Sequence, residues 1–204
     1  MDASDWDRRY SSSDLVWSTE PNQFVEQICS DLTPGTVVDI ACGEGRNTIW
    51  LATQGWQATG VEFSGVALDK ARRIAEHTGV EVDWILSDAR TVDDVVDQRF
   101  DLVLLCYLQV PDADLVEALR AGTELLAENG RMVVVAHALA NLERGVGGPQ
   151  DPAVLPTPER VTEILRDLGL VIERGDEAHR TVPTDDGERT AIDLVVIAGA
   201  QRQR

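Results

Sequence analysis

No hydrophobic run in this 204-residue sequence is long enough to cross a bilayer as a helix, so no membrane partner is expected. The opening residues Met1-Asp2-Ala3-Ser4-Asp5 have neither the basic start nor the apolar core of a secretory signal. Cysteine is scarce: residues 29, 42 and 106 show no pairing or metal-ligand spacing. Free thiols in a reducing, cytoplasmic setting are the simplest reading. Basic residues are outnumbered, 18 against 36 acids, for a net charge of −18. The arginines at 72, 73, 120, 160, 166, 174 and 180 are each diluted by nearby acids, so no basic stripe offers itself to a polyanion. Nucleic acid is therefore not an expected partner. Histidines 77, 137 and 179 form no metal-binding pattern, and no metal is expected. There is no internal repeat and no sign of a second domain, and the chain reads as a monomer or homodimer.

What is present is an alternation of strands and helices after residue 35. Apolar runs at Val37–Ala41, Gln57–Val61, Val82–Leu86, Phe100–Cys106 and Met132–Ala136 read as five strands. The first, fourth and fifth are continuously apolar, as in a parallel sheet covered on both faces. Helices are expected at Asn47–Gln54, at about Val66–His77 with Ser64 as cap and Gly79 as stop, and at Pro111–Ala127 before an Asn129-Gly130 turn. Residues 138–157, with three glycines and three prolines, read as a long loop. Thr157-Pro158-Glu159 opens a helix closed by Gly169. A sixth strand from Leu170 and a seventh at Ile192–Ala198 flank a hairpin turn at Thr184-Asp185-Asp186-Gly187.

The chemistry gathers at Val38-Asp39-Ile40-Ala41-Cys42-Gly43-Glu44-Gly45-Arg46-Asn47. A strand reaches an acid and turns through two glycines into a helix, the front half of a nucleotide-binding βαβ unit. Thr48 stands where a dinucleotide fingerprint would place its third glycine, and Asp39 and Glu44 put negative charge where a pyrophosphate would lie. A sulfonium ligand with an ammonium group suits those charges. Glu62 ends the second strand, where its carboxylate can accept both hydroxyls of a ribose. Phe63 follows and can lie against an adenine face. Arg46 sits in a first helical turn, where the dipole disfavours a cation. Either it binds a ligand carboxylate, or it pairs with Glu44 or Glu20.

The Val38–Asn47 run resembles the first motif of class I S-adenosyl-L-methionine-dependent methyltransferases. The likeness covers most of residues 35–199. The arm Leu15-Val16-Trp17-Ser18-Thr19-Glu20-Pro21-Asn22 and the Gly-Arg-Asn ending are similar to the branch holding tellurite-resistance and thiopurine-type enzymes. The resemblance implies an α/β, Rossmann-like three-layer sandwich with a seven-stranded, mostly parallel sheet and an antiparallel last strand. It implies S-adenosyl-L-methionine as cofactor and S-adenosyl-L-homocysteine as product. It assigns cofactor binding to Asp39, Ala41, Gly43, Glu44, Gly45 and Arg46 in the motif. Glu62 becomes the ribose acid, with Phe63 beside it. Asp88 becomes the acceptor of the adenine amino group, with Ala89 offering its amide, although a turn or capping role for Asp88 stays open. Cys106 would run beneath the methionyl part.

Such a reaction is a displacement in line with the carbon–sulfur bond, with a neutral thioether leaving, so no catalytic triad is required. The acceptor is expected to be a small molecule. Tyr107 and Leu108, after the fourth strand, and Tyr10 and Trp17 of the arm are candidates for its pocket. The arm aromatics have a second reading, simple docking onto the domain. His137 follows the fifth strand and is either a candidate to position or deprotonate the acceptor or simply a neutral strand-end histidine. Residues 1–35 are read as an arm and helix covering the pocket of a 36–204 domain. Two other functions share these features, a NAD-dependent reductase and a non-catalytic S-adenosylmethionine-binding module.

Overall fold

A computed structural model of the chain describes residues 3–12, 15, 19–184 and 187–200. Seven strands form one sheet: β1 (Thr36–Ile40), β2 (Gln57–Glu62), β3 (Asp83–Leu86), β4 (Phe100–Cys106), β5 (Leu126–His137), β6 (Val171–Thr184) and β7 (Gly187–Gly199). In space they run β3-β2-β1-β4-β5-β7-β6. The first five are parallel, and β7 is antiparallel to both of its neighbours. The reversed last strand and the three layers agree with expectation. Strand order turns back between β1 and β4, and in open α/β sheets the crevice at that point, outside the carboxyl ends, is where ligands bind.

Helices cover both faces: α1 (Ala3–Ser11), α2 (Gln23–Cys29), α3 (Arg46–Thr53), α4 (Gly65–Thr78), α5 (Asp112–Glu124), α6 (Asn141–Arg144) and α7 (Pro158–Asp167). Alternate side chains of the strands feed two cores. Val38, Ile40, Val103, Leu105, Val134 and Ala136 pack with α5 and α7, whereas Val37, Leu102, Leu104, Val133 and Val135 pack with α2 and α3. That parity puts Asp39, Cys106, His137 and Asp193 on the α2–α3 face, at the carboxyl ends of β1, β4 and β5. Among the described residues no helix is long and apolar enough to cross a membrane.

Local signals set most helix ends. Asn22, Ser64 and Thr157 accept backbone N–H bonds as N-caps, and Gly79 closes α4 with φ of 76°. Three expectations need correction. The arm holds a helix, α1, that was not foreseen. Helix α5 stops at Glu124 rather than Ala127, because the Phe100 N–H bonds the Leu125 carbonyl and Leu126 already pairs with β4. Asn129, at φ of 64°, then forms a bulge inside β5 instead of a turn before it. The 138–157 segment carries α6 and a 3₁₀ turn at Pro152–Val154 rather than being irregular throughout. Asp185 and Asp186 of the expected hairpin turn lie outside the described residues.

Candidate active site

The turn after β1 is conformationally costly. Ala41, Gly43 and Gly45 all have positive φ, at 60°, 59° and 79°. A non-glycine residue in that region is sparsely populated, and such outliers gather at functional sites. Gly45 is also constrained from outside, since a Cβ there would lie 2.5 Å from the Trp84 ring. Only glycine allows the backbone to turn this close to β3.

Glu62 holds the turn in place. One carboxylate oxygen accepts from the Gly43 N–H at 3.0 Å, and the other accepts from the Phe63 and Ser64 N–H groups, each at 3.0 Å. It is 4% exposed, and burial raises its pKa despite these bonds. Asp39 lies deeper. Thr48 donates to its Oδ2 at 2.7 Å, while its Oδ1 is buried without a partner. Burial, only partly offset by the Thr48 hydroxyl and the Arg46 charge, pushes the Asp39 pKa up to about 7. The threonine in the third-glycine place is thus the ligand of the motif acid.

Glu44 is buried and paired with Lys70 at 3.0 Å. Lys70 is the chain's single lysine, and it also donates to the Tyr10 carbonyl at 2.6 Å. On the same helix pair, Asp7 of α1 lies 2.5 Å from the Ser64 hydroxyl. Helix α1 is therefore fastened to α4 beside Glu62 and the glycine turn. Tyr10 is buried there, with its ring 5.5 Å from Trp6. The structure places it against α4 rather than beside Tyr107. Trp17, its expected companion, lies outside the described residues.

Asp88 caps the 89–94 turn through the Arg90 N–H and is gripped by the Arg90 guanidinium at 2.7 and 2.9 Å, which lowers its pKa. The capping geometry weighed from the sequence is thus present. Ala89 and Leu108 pack against the α5–α7 core. Burial pushes the Cys106 thiol up to about 12, which favours the neutral thiol near neutrality.

A second group forms at the ends of β4, β5 and β7. Asp193, with no solvent exposure, accepts from three directions. His137 Nδ1 lies 2.8 Å from its Oδ1, while the Tyr107 hydroxyl and Arg180 Nε donate to its Oδ2, each at 3.0 Å. Burial alone would raise the Asp193 pKa, but the bond from His137 and the Arg180 charge hold it below the ordinary value. Tyr107, itself at φ of 61°, stacks on His137 with ring centroids 4.6 Å apart. Its hydroxyl accepts from Asn22 Nδ2 at 3.1 Å, and the Asn22 N–H donates to Asn47 Oδ1 at 2.8 Å. The Arg46 guanidinium lies 5.9 Å from the Tyr107 ring centre. One polar chain therefore links the helix after the glycine turn to His137.

Sequence reasoning singled out His137 and Tyr107 but passed over Asn22, Arg180 and Asp193. Asp193 had a visible signal: it is the one acid within the apolar run Ile192–Ala198. A charge buried in a central strand needs partners.

Residues 37–130 match the family model described as a methyltransferase domain. A ubiquinone biosynthesis O-methyltransferase from Methylobacterium sp. (strain 4-46) is 29% identical over 152 residues, 67% of this chain and 60% of that relative. The chain thus spans about three fifths of that relative's length. A solved structure described as "Conversion of a Disulfide Bond into a Thioacetal Group during Echinomycin Biosynthesis" superposes with a TM-score of 0.79 at 20% identity, covering 99% of this chain and 93% of its own. Magnesium protoporphyrin IX methyltransferase from Synechocystis PCC 6803, with bound SAH, superposes with a TM-score of 0.69 at 17% identity, covering 97% and 93%. The chain thus has the fold of these methyltransferases, and its residues 37–130 match a methyltransferase domain.

Proposed function

We propose that the chain transfers a methyl group from S-adenosyl-L-methionine to a small-molecule acceptor. The observation that carries this reading is the pair of buried carboxylates flanking a positive-φ glycine turn at the sheet's switch point, one with an unpartnered oxygen. A ligand bearing an ammonium or sulfonium charge compensates such a site, whereas a pyrophosphate would meet Asp39 and Glu44. That disfavours a NAD-dependent reductase. A non-catalytic binding module has no use for the Tyr107–His137 group beside the turn.

The residues fit the cofactor. Ala41, Gly43, Gly45 and Asp39 would hold the methionyl end, Glu62 the ribose, and Asp88, Ala89 and Phe63 the adenine. Arg46 and Cys106 would border the methionyl group, with Glu44 held back by Lys70. When bound, the cofactor supplies an electrophilic methyl on a sulfonium, which the acceptor displaces in line. The protein's part is alignment and exclusion of water, worth about 7–11 kcal/mol of barrier in favourable cases. Tyr107 and Leu108 would border the acceptor, and His137 would orient it. Residues 1–35 would cover the pocket, a role supported by the fastening of α1 to Ser64 and Lys70 and of Asn22 to Tyr107.

The named relatives support a small acceptor, since a ubiquinone pathway and a magnesium porphyrin appear in their names. Calorimetric titration of the purified chain with S-adenosylhomocysteine and separately with NAD tests the reading. Binding of the first alone is expected, and binding of NAD alone would overturn it.

A further inference from the structure

We propose that Asp193 is a positioning residue that locks the His137 ring with Nδ1 protonated, presenting Nε2 as proton acceptor to an oxygen nucleophile. The acceptor half of this statement rests on the methyltransferase reading, and the tautomer half does not.

An ionised carboxylate can only accept hydrogen bonds, so the 2.8 Å contact puts the proton of a neutral imidazole on Nδ1. Nε2 then carries a lone pair and no proton, and among the described residues it has no hydrogen-bond partner. The carboxylate has no other freedom. Arg180 balances its charge and, with Tyr107, occupies its second oxygen. The ring is held as well. Tyr107 stacks on one face, and the His137 backbone N–H is fixed by Gln109 Oε1 at 2.9 Å. Gly148, at φ of 71°, brings the 138–157 segment so close that a Cβ there would lie 3.0 Å from the ring carbons. Asn141 ties the same segment to β7 through the Ile192 N–H at 2.7 Å, next to Asp193.

A histidine that merely fills space needs no such frame. A thiolate acceptor, already ionised, gains little from a base. A hydroxyl acceptor must lose its proton as its oxygen bonds carbon, and a positioned base contributes roughly 10²–10⁴-fold to such a step. The acceptor hydroxyl passes its proton to Nε2, and its oxygen lone pair forms the bond to the methyl carbon. The electron pair of the broken carbon–sulfur bond stays on sulfur. The resulting imidazolium faces the Asp193 carboxylate and returns its proton to solvent.

Two measurements test this. Nitrogen-15 NMR on the full chain labelled at its three histidines reads the His137 tautomer, with His137→Gln assigning the signal. The Nδ1–H form is expected in the native protein, and Asp193→Asn should shift it towards Nε2–H, because an amide can donate to Nδ1. A native Nε2–H tautomer, or no change in Asp193→Asn, overturns the positioning role. The second measurement compares methylation of a series of phenols with that of the matching thiophenols. Asp193→Asn and His137→Gln should lower the phenol-to-thiophenol ratio of kcat by more than 100-fold, with KM moving less than threefold. Equal losses on both classes, or turnover of thiophenols alone or of neither class, overturn the oxygen assignment. Absence of S-adenosylhomocysteine binding in the native chain would instead sink the methyltransferase reading and leave the tautomer result standing.

Discussion

The Thr48 hydroxyl donates to one oxygen of Asp39 at 2.7 Å, while the other oxygen of that carboxylate is buried with no partner. The group therefore holds its proton until the pKa of about 7 that burial gives it in the fold, against 3.8 ordinarily. Its stabilising contribution is complete below about pH 4 and is lost as pH rises through 7, with an upper bound of about 4 kcal/mol. Asp39→Asn should abolish that dependence. The thermal midpoint of the ligand-free variant, relative to native, should be higher at pH 8 than at pH 5. Parallel midpoints across the range would show that Asp39 is ionised throughout.

Glu62 has two duties in the proposed complex, because the oxygens that would receive a ribose already fix the Gly43, Phe63 and Ser64 amides. Glu62→Gln keeps the shape and loses the charge. Calorimetry should show S-adenosylhomocysteine affinity falling more than tenfold, which is above about 1.4 kcal/mol. An unchanged affinity would move the ribose elsewhere.

The Lys70–Glu44 pair is nearly dry, with side-chain exposures of 17% and 4%. Lys70→Met removes the ammonium that faces buried Glu44 and releases the Tyr10 carbonyl. A loss of about 3 kcal/mol is expected in urea unfolding, and Glu44→Gln added to it should restore part of that. Helix α1 should also loosen, so trypsin should cut after Arg8 and Arg9 faster in the variant, as read by mass spectrometry of brief digests. Equal cutting rates would mean that the Lys70–Tyr10 contact does not hold the helix.

Where residue type alone fixes local geometry, the sequence was explicit. Gly79 and Gly169 adopt left-handed backbone at helix ends, Thr157-Pro158 opens α7, and the apolar runs form the central strands. The glycine turn and Glu62 were also found, since a strand-end acid and paired glycines are local patterns. What escaped depends on contacts between distant segments. Asp193 meets His137 only because β7 lies antiparallel to β5 in a register that sets those two opposite each other. Helix α1 is short and mostly polar, and is fastened by Lys70, sixty residues on from Tyr10. The early end of α5 likewise follows from pairing with β4, which overrides a helical run.

Arg180 offers the last test, because it balances a carboxylate that solvent does not reach. Asp193 has a depressed pKa, although burial opposes it, because His137 and Arg180 stabilise its charge. A depressed acid contributes stability that is present above its unfolded pKa of about 3.8 and is lost as pH falls through the lower folded value. Arg180→Met keeps the apolar stem and removes the charge. At pH 7 it should cost a few kcal/mol, less than the roughly 3–5 of a fully broken buried pair, since His137 and Tyr107 still donate. With Asp193 no longer held ionised, the cost should shrink as pH falls towards 3. Denaturant unfolding of both proteins at pH 7, 5 and 3.5 measures this. A penalty that stays constant with pH would mean that Arg180 acts through packing, and that the Asp193 charge is held by His137 and Tyr107 without it.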